Sequence, residues 1–293
     1  MATNPDPRTA GPKPPFAEQA QNNPGTEGKM SPAADHGEQS YKGLGRLKDR
    51  VALVTGGDSG IGRAVCIAYS REGADVVLGY LDEHEDAATT RKLVEAAGRK
   101  AHSVAGDLAS VEECRRLVDE TVKRFGRIDV LVLNAAYQGK NAERFEDIDA
   151  ERVERTFRTN VLAMFHLVRF ALPHMKPGAT IITTSSIQAY QPNPGILDYA
   201  STKGAIVTFT KGLAQELVQR GIRVNSVAPG PVWTPLVVQS FDGKSNSEFG
   251  KSNPMGRPAQ PAELAPSFVF LASDESRFTT GEVLGVTGGK LLA

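Results

Sequence analysis

Tyr199 and Lys203 stand four residues apart in GILDYASTKGAIV (residues 195–207), a spacing that sets both side chains on one face of a helix. A phenol can give a proton to an oxygen that is gaining negative charge. Its ordinary pKa of about 10 leaves little phenolate to take the proton back. A cation about 4 Å away, at an effective dielectric near 20, supplies about 4 kcal/mol, enough to lower that pKa by roughly three units. The pair therefore suits proton transfer, and the same two residues would also suit a solvated helix face. Of the six tyrosines, only Tyr199 has a lysine at i+4; Tyr41, Tyr69, Tyr80, Tyr137 and Tyr190 have Gly, Gly, His, Asn and Pro there. Ser186 closes the apolar run IITTSS thirteen residues earlier. A hydroxyl at the carboxyl end of a strand faces the crevice where open α/β sheets bind ligands, although serine is also an ordinary turn residue. Asn160 lies in TFRTNVLAMF, a helical stretch in which asparagine is locally unfavourable, and this points to a role beyond helix formation.

A second constellation suits phosphate. VALVTGGDSGIGRA (51–64) is an apolar strand running into Gly56, Gly60 and Gly62, with Asp58, Ser59 and Ile61 between them, and then into a helix. Glycine allows positive φ in the tight turn and close approach of backbone to a pyrophosphate, which then meets the unpaired N–H groups of the helix N-terminus. A purely structural turn is the competing explanation. No Gly-Lys-Ser/Thr follows, which disfavours nucleoside-triphosphate chemistry. Tyr80 ends the second strand in VVLGYLDE, where an acidic residue would bond a ribose 2′-OH and a basic one would hold a 2′-phosphate. With Ser59 rather than a cation before Gly60, and with Asp82 and Glu83 nearby, the expected cofactor is NAD or NADP, NAD being favoured.

Positioning these groups requires a sheet. From Val51 onward, short β-branched runs alternate with amphipathic stretches of helix length. The pattern predicts strands near 51–55, 75–80, 101–106, 128–133, 179–184, 222–227 and 282–286. It predicts helices near 61–72, 83–97, 110–125, 149–173, 198–220 and 261–273. This is one doubly wound α/β domain over residues 46–293, a seven-stranded parallel sheet with helices on both faces. Residues 1–45 are different: six prolines fall before residue 25, and aliphatics are few. Such a segment is either a disordered tail or an arm laid over the body with Phe16, Met30 and Tyr41 as anchors.

Composition narrows the partners. Lys plus Arg and Asp plus Glu balance at 34 each, so net charge suggests neither nucleic acid nor a membrane surface. No apolar run is long enough to span a bilayer and no secretory signal opens the chain, so a cytoplasmic protein is expected. Cys66 and Cys114 form no CxxC and read as buried small hydrophobes. His36, His84, His102, His166 and His174 form no ligand pattern, and no metal is expected.

Seven motifs in order make the chain resemble a short-chain dehydrogenase/reductase: TGGDSGIG at 55–62, GDL at 106–108, LNAA at 133–136, TN at 159–160, SS at 185–186, YASTK at 199–203 and VAPGPVWTP at 227–235. The match covers residues 46 to 290. The Pro-rich arm and the end of the chain are similar to a bacterial branch described as glucose/ribitol dehydrogenase-like or aldehyde-reductase-like. The resemblance implies a Rossmann domain and NAD(P)-dependent interconversion of an alcohol and a carbonyl. It makes Tyr199 the proton donor and Ser186 the holder of the substrate oxygen. Lys203 would reach the nicotinamide ribose, and Asn160 would hold a water linking the lysine to solvent. Asp107, with Leu108, would read the adenine, Asn134 would sit at the cofactor edge of the fourth strand, and Pro229, Gly230, Val232 and Thr234 would receive the carboxamide. The family's Asn-Asn-Ala-Gly stands here as Leu133, Asn134, Ala135 and Ala136, which questions the backbone contact to the nicotinamide ribose.

Residues 235–256, a polar insertion, are placed to act as a lid, with Gln188, Tyr190, Gln191 and Trp233 as pocket candidates. Their mixed polarity suits a small aldehyde, sugar or polyol. Family members usually form tetramers through the helices matching 149–173 and 198–220, so a homo-oligomer is expected. The alternative is a catalytically silent dinucleotide-binding sensor or scaffold.

Overall fold

The computed structural model describes residues 6–292. Seven runs rich in Val, Ile, Leu and Thr form a single parallel sheet: β1 (Val51–Thr55), β2 (Asp75–Tyr80), β3 (Ala101–Ala105), β4 (Val130–Leu133), β5 (Thr180–Thr184), β6 (Arg223–Pro229) and β7 (Val283–Val286). Their order is β3-β2-β1-β4-β5-β6-β7. The chain winds outward from β1 to β3, then crosses back to build β4 to β7 on the other side. The switch point therefore lies between β1 and β4, where a crevice opens outside the carboxyl ends.

Alternate strand residues feed two cores. Ala52, Val54, Val76 and Leu78 face α1 (Gly60–Arg71), α2 (His84–Ala96) and the last helix (Pro261–Ala272). Leu53 and Val77 face α3 (Val111–Phe125) and the helices before and after β5. Being covered on both faces is why these strands read as near-continuous apolar runs.

The helix expected over 149–173 is divided. It comprises α4 (Ala150–Phe157), a π turn over Arg158–Leu162 and α5 (Ala163–Ala171), and it ends in a 3₁₀ turn at Leu172–His174. The π turn falls on Asn160, whose amide is held by tertiary partners. One residue too many in the turn is how a helix accommodates a side chain pinned from outside. After β5 comes α6 (Leu197–Leu217). The insertion after β6 contains α7 (Pro235–Ser240) and α8 (Gly243–Ser247), and α9 (Pro261–Ala272) precedes β7.

The arm packs on the body. Phe16 and Met30 are buried with Trp233 and Val238 in a third apolar cluster, the Phe16 and Trp233 rings 4.6 Å apart. The Trp233 indole donates to the Pro32 carbonyl at 2.8 Å. Trp233, expected in the substrate pocket, is thus fully buried as the anchor for the arm. Tyr41 donates its hydroxyl to Glu72, which also pairs with Arg46.

A Cβ added to Gly62 would lie 1.8 Å from the Gly56 carbonyl oxygen. Gly62→Ala must therefore push α1 off the end of β1. The expected cost is about 3 kcal/mol, seen as a fall in Tm of several degrees. A variant melting with the parent would contradict this packing.

Candidate active site

A cleft of about 680 Å³ runs along the carboxyl edge of the sheet from the glycine turn to Tyr199. Every residue singled out from the sequence as catalytic or cofactor-binding lines it, except Gly62 and Asn160. Gly62 lies behind the turn against Gly56, and Asn160 is fully buried.

At one end, α6 enters with Asp198 fully buried in an ion pair to Arg152, 2.8 Å away, and bonded also by Thr156. This fixes the first turn of α6 against α4, and with it the neighbouring Tyr199. Lys203, one turn on, is 1% exposed. Its Nζ donates to the Thr184 carbonyl at the end of β5 at 2.7 Å and lies 5.2 Å from the centre of the Tyr199 ring. The Ser186 hydroxyl acts on the Tyr199 phenol to lower its pKa and accepts from the Gln188 N–H at 3.1 Å.

The lysine was expected to lower the phenol's pKa. The folded chain shows the reverse: burial raises Tyr199 well above its ordinary value, and the Ser186 hydroxyl only partly offsets this. Burial also pushes the Lys203 ammonium down to about 7. Burial therefore keeps the phenol neutral and brings the ammonium to the edge of losing its charge near neutral pH, because removal from water penalises the charged form of each. A neutral phenol is the form that can donate a proton.

Asn160 is held on three sides by protein groups. Its Oδ1 accepts from the Tyr137 N–H at 2.7 Å, and its Nδ2 donates to the Tyr137 carbonyl and to Thr202. The side chain thus braces the loop after β4 against α6. Asn134 is a similar tie, its amide bonding the carbonyls of Thr55 and Gly56 and accepting from Thr184. Leu133, where the family has its first Asn, is buried in β4.

At the other end, Gly56 and Gly60 take φ of +63° and +49°, the left-handed region that favours glycine. Tyr80 bonds His84 at 3.0 Å. Burial, with Glu83 and Asp86 close by, raises the Asp58 carboxyl to about 7. Burial would also raise Asp107, but the Arg155 guanidinium paired with it brings that carboxyl below its usual range. Gln188 lines the cleft, whereas Tyr190 and Gln191 do not; the Gln191 amide bonds the Leu291 carbonyl instead. Sequence reasoning missed Asn23, Pro24 and Gly25 of the arm, which line the cleft as well, and the Asp198–Arg152 pair. Nothing local in their sequence marks either, since both depend on contacts between distant segments. Among the described residues no group of three or more His, Cys, Asp or Glu is arranged to hold a metal ion, and no helix is long and apolar enough to cross a membrane.

A glycine turn at a helix N-terminus joined by one cleft to a buried tyrosine–lysine pair defines a dinucleotide-dependent oxidoreductase. The comparisons with known proteins agree. A family model described as enoyl-(acyl carrier protein) reductase matches residues 56–290. The glucose and ribitol dehydrogenase of Daucus carota is 48% identical over 285 residues, covering 95% of this chain and 97% of that protein. The chloroplastic NADPH-dependent aldehyde reductase 1 of Arabidopsis thaliana is 46% identical over 276 residues, covering 92% of this chain and 96% of that protein. The crystal structure of 3-ketoacyl-(acyl-carrier-protein) reductase from Brucella melitensis complexed with NADH superposes with a TM-score of 0.76 at 32% identity, covering 83% of this chain and 98% of that one. The chain belongs to the short-chain dehydrogenase/reductase family and is an oxidoreductase that uses NAD(P).

Burial of Lys203 has a pH signature. Its pKa falls from 10.5 to about 7 on folding, so the unfolded chain holds the extra proton between those values. The cost to stability is full below pH 7 and fades as pH rises toward 10.5. Lys203→Met is therefore expected to raise Tm by several degrees near about pH 6 and by much less near about pH 9.5. Thermal melts at the two values check this; a gain that is equal or larger at high pH would contradict it.

Proposed function

We propose that the protein interconverts an alcohol and a carbonyl on a small aldehyde, sugar or polyol. Tyr199, Ser186, Lys203 and Asn160 form its working group. The observation that carries the reading is that Tyr199, Ser186 and a buried Lys203 line one end of the cleft, while the glycine turn closes the other.

The residues present fit a dinucleotide: a Cβ at Gly62 would fill the turn, and the helix N-terminus opens beside the cleft. Gly56, Ser59, Gly60 and Ile61 would hold its phosphates, and Pro229, Gly230, Val232 and Thr234 its nicotinamide end. Bound there, the nicotinamide supplies hydride exchange with a carbonyl carbon. Ser186 orients the substrate oxygen by a hydrogen bond, and Tyr199, held neutral by burial, gives that oxygen its proton. Lys203 stands behind the ring, its Nζ fixed on the Thr184 carbonyl, and in its protonated form supplies positive potential when the phenol gives up its proton. Asn160 acts by bracing the surrounding segments.

Gln138, Asn141, Gln188, Asn193, Ser245 and Lys290 line the cleft, and hydrogen-bonding side chains of this kind support a hydroxylated substrate over a steroid-like one. Tyr80, Leu81, Glu83 and Asp58 line the cleft around the end of β2, which supports NAD over NADP because a 2′-phosphate would meet carboxylates there. Leu162 and Phe165, exposed at the π turn and on α5, support a homo-oligomer.

Tyr199→Phe is expected to bind dinucleotide as the parent does and to lose about 10³-fold or more in turnover. The assay follows NADH and NADPH absorbance against a panel of aldehydes, sugars and polyols. Undiminished turnover would remove Tyr199 from the mechanism. Intact binding in the parent with no turnover on any carbonyl would turn the reading to a dinucleotide-binding sensor.

A further inference from the structure

We propose that the N-terminal arm is a working part of the dinucleotide site, with Glu27 as the positioning residue that holds the glycine turn in its phosphate-receiving form. The inference rests on the dinucleotide dependence of the family and not on the choice of substrate.

The arm reaches the site at two points only two residues apart. Gly25 donates its N–H to Gln239 on α7, and a Cβ there would lie 2.9 Å from the Pro235 carbonyl oxygen, so the strand of arm lies directly on the lid helix. Glu27 accepts from the Gly60 N–H at 2.7 Å, on the first residue of α1. Gly60 in turn faces Thr234, just before α7: a Cβ on it would stand 3.1 Å from the threonine methyl. The arm therefore ties the phosphate turn to the segment that covers the nicotinamide end.

The Glu27 carboxylate is built in, not merely resting there. Its side chain is 6% exposed. The same Oε1 bonds His36 Nε2 at 2.8 Å, and the Glu27 N–H donates to Asp86, which pairs with Arg63. The other His36 ring nitrogen faces Glu38 at 3.0 Å. Burial and nearby Arg63 push the pKa of the ring down, but the carboxylate on each nitrogen outweighs them and raises it, which favours the doubly protonated form. The Glu27 carboxylate behind the turn thus has the His36 ring as its hydrogen-bond partner.

A carboxylate on a helix N-terminus could instead occupy the phosphate's place. The geometry argues otherwise: Glu27 and His36 do not line the cleft, while Asn23, Pro24 and Gly25 do, and the cleft stays open with the arm down. Glu27 satisfies one N–H from behind and leaves the front of the turn free. Holding Gly60 in its left-handed conformation before the ligand arrives removes an ordering cost from binding.

The test uses the full chain and binary titrations with NADH and NADPH followed by nicotinamide fluorescence. Glu27→Ala is expected to weaken dinucleotide binding by about tenfold or more. Glu27→Gln, whose amide carbonyl can still accept from Gly60, should stay within about threefold of the parent. An unchanged Kd in Glu27→Ala would overturn the proposal, and tighter binding would show that Glu27 competes with the phosphates. Since Glu27→Ala could fail to fold, hydrogen exchange on the unaltered protein gives a second reading. Saturating dinucleotide should slow exchange across residues 20–38, and no change there would also overturn it. Tyr199→Phe should show the same slowing, so a failure of the proton-transfer reading stays distinguishable.

Discussion

Lys203 lies 1% exposed in the second turn of α6, and its Nζ donates to the carbonyl of Thr184 at 2.7 Å. An ammonium withdrawn from water in this way costs several kcal/mol unless fixed dipoles meet it. Its neighbours are arranged accordingly. The helix must pass the end of β5 closely enough for the lysine to reach a strand-end carbonyl. The buried Asp198–Arg152 pair, with Thr156, sets the helix start at that height. The π turn at Arg158–Leu162 lets Asn160 reach both Thr202 on α6 and the backbone of Tyr137. Each device serves to hold one side of the tyrosine–lysine pair still in a dry place.

The phosphate end obeys a different rule. There the charges are mostly negative and mostly buried: Asp58, Asp86 and Glu27 gather round Arg63 and His36. Asp58 is pushed to about 7, so this cluster sheds charge near neutral pH. The arm contributes a carboxylate and an imidazole together, each the hydrogen-bond partner of the other. An arm otherwise poor in aliphatics holds on through a few apolar anchors, Phe16 and Met30 on Trp233, and through such buried polar bonds.

Much of this was legible beforehand. The strands were placed to within about two residues because burial on both faces leaves an unbroken apolar run, which needs no partner to be recognised. The glycine turn was legible because positive φ and close packing demand glycine at Gly56, Gly60 and Gly62 wherever the chain later goes. Other features were not. Trp233 reads as a pocket residue from its place after the Pro-Gly turn, and only the arm, some two hundred residues away in sequence, turns it into an anchor. The lowered phenol pKa expected from an i+4 lysine did not survive burial, since spacing gives distance along a helix and says nothing of how much water surrounds it.

The amino-acid sequence by itself determined the doubly wound α/β fold, the glycine turn and the pairing of Tyr199 with Lys203. Those properties are local: hydrophobic period, backbone freedom and the pitch of one helix. Tertiary structure alone decided the directions in which burial shifts the pair's pKa values, the π turn under Asn160 and the seat of Glu27 behind Gly60. Each is set by desolvation or by a hydrogen bond between segments far apart in the chain, and neither quantity exists until the chain has folded.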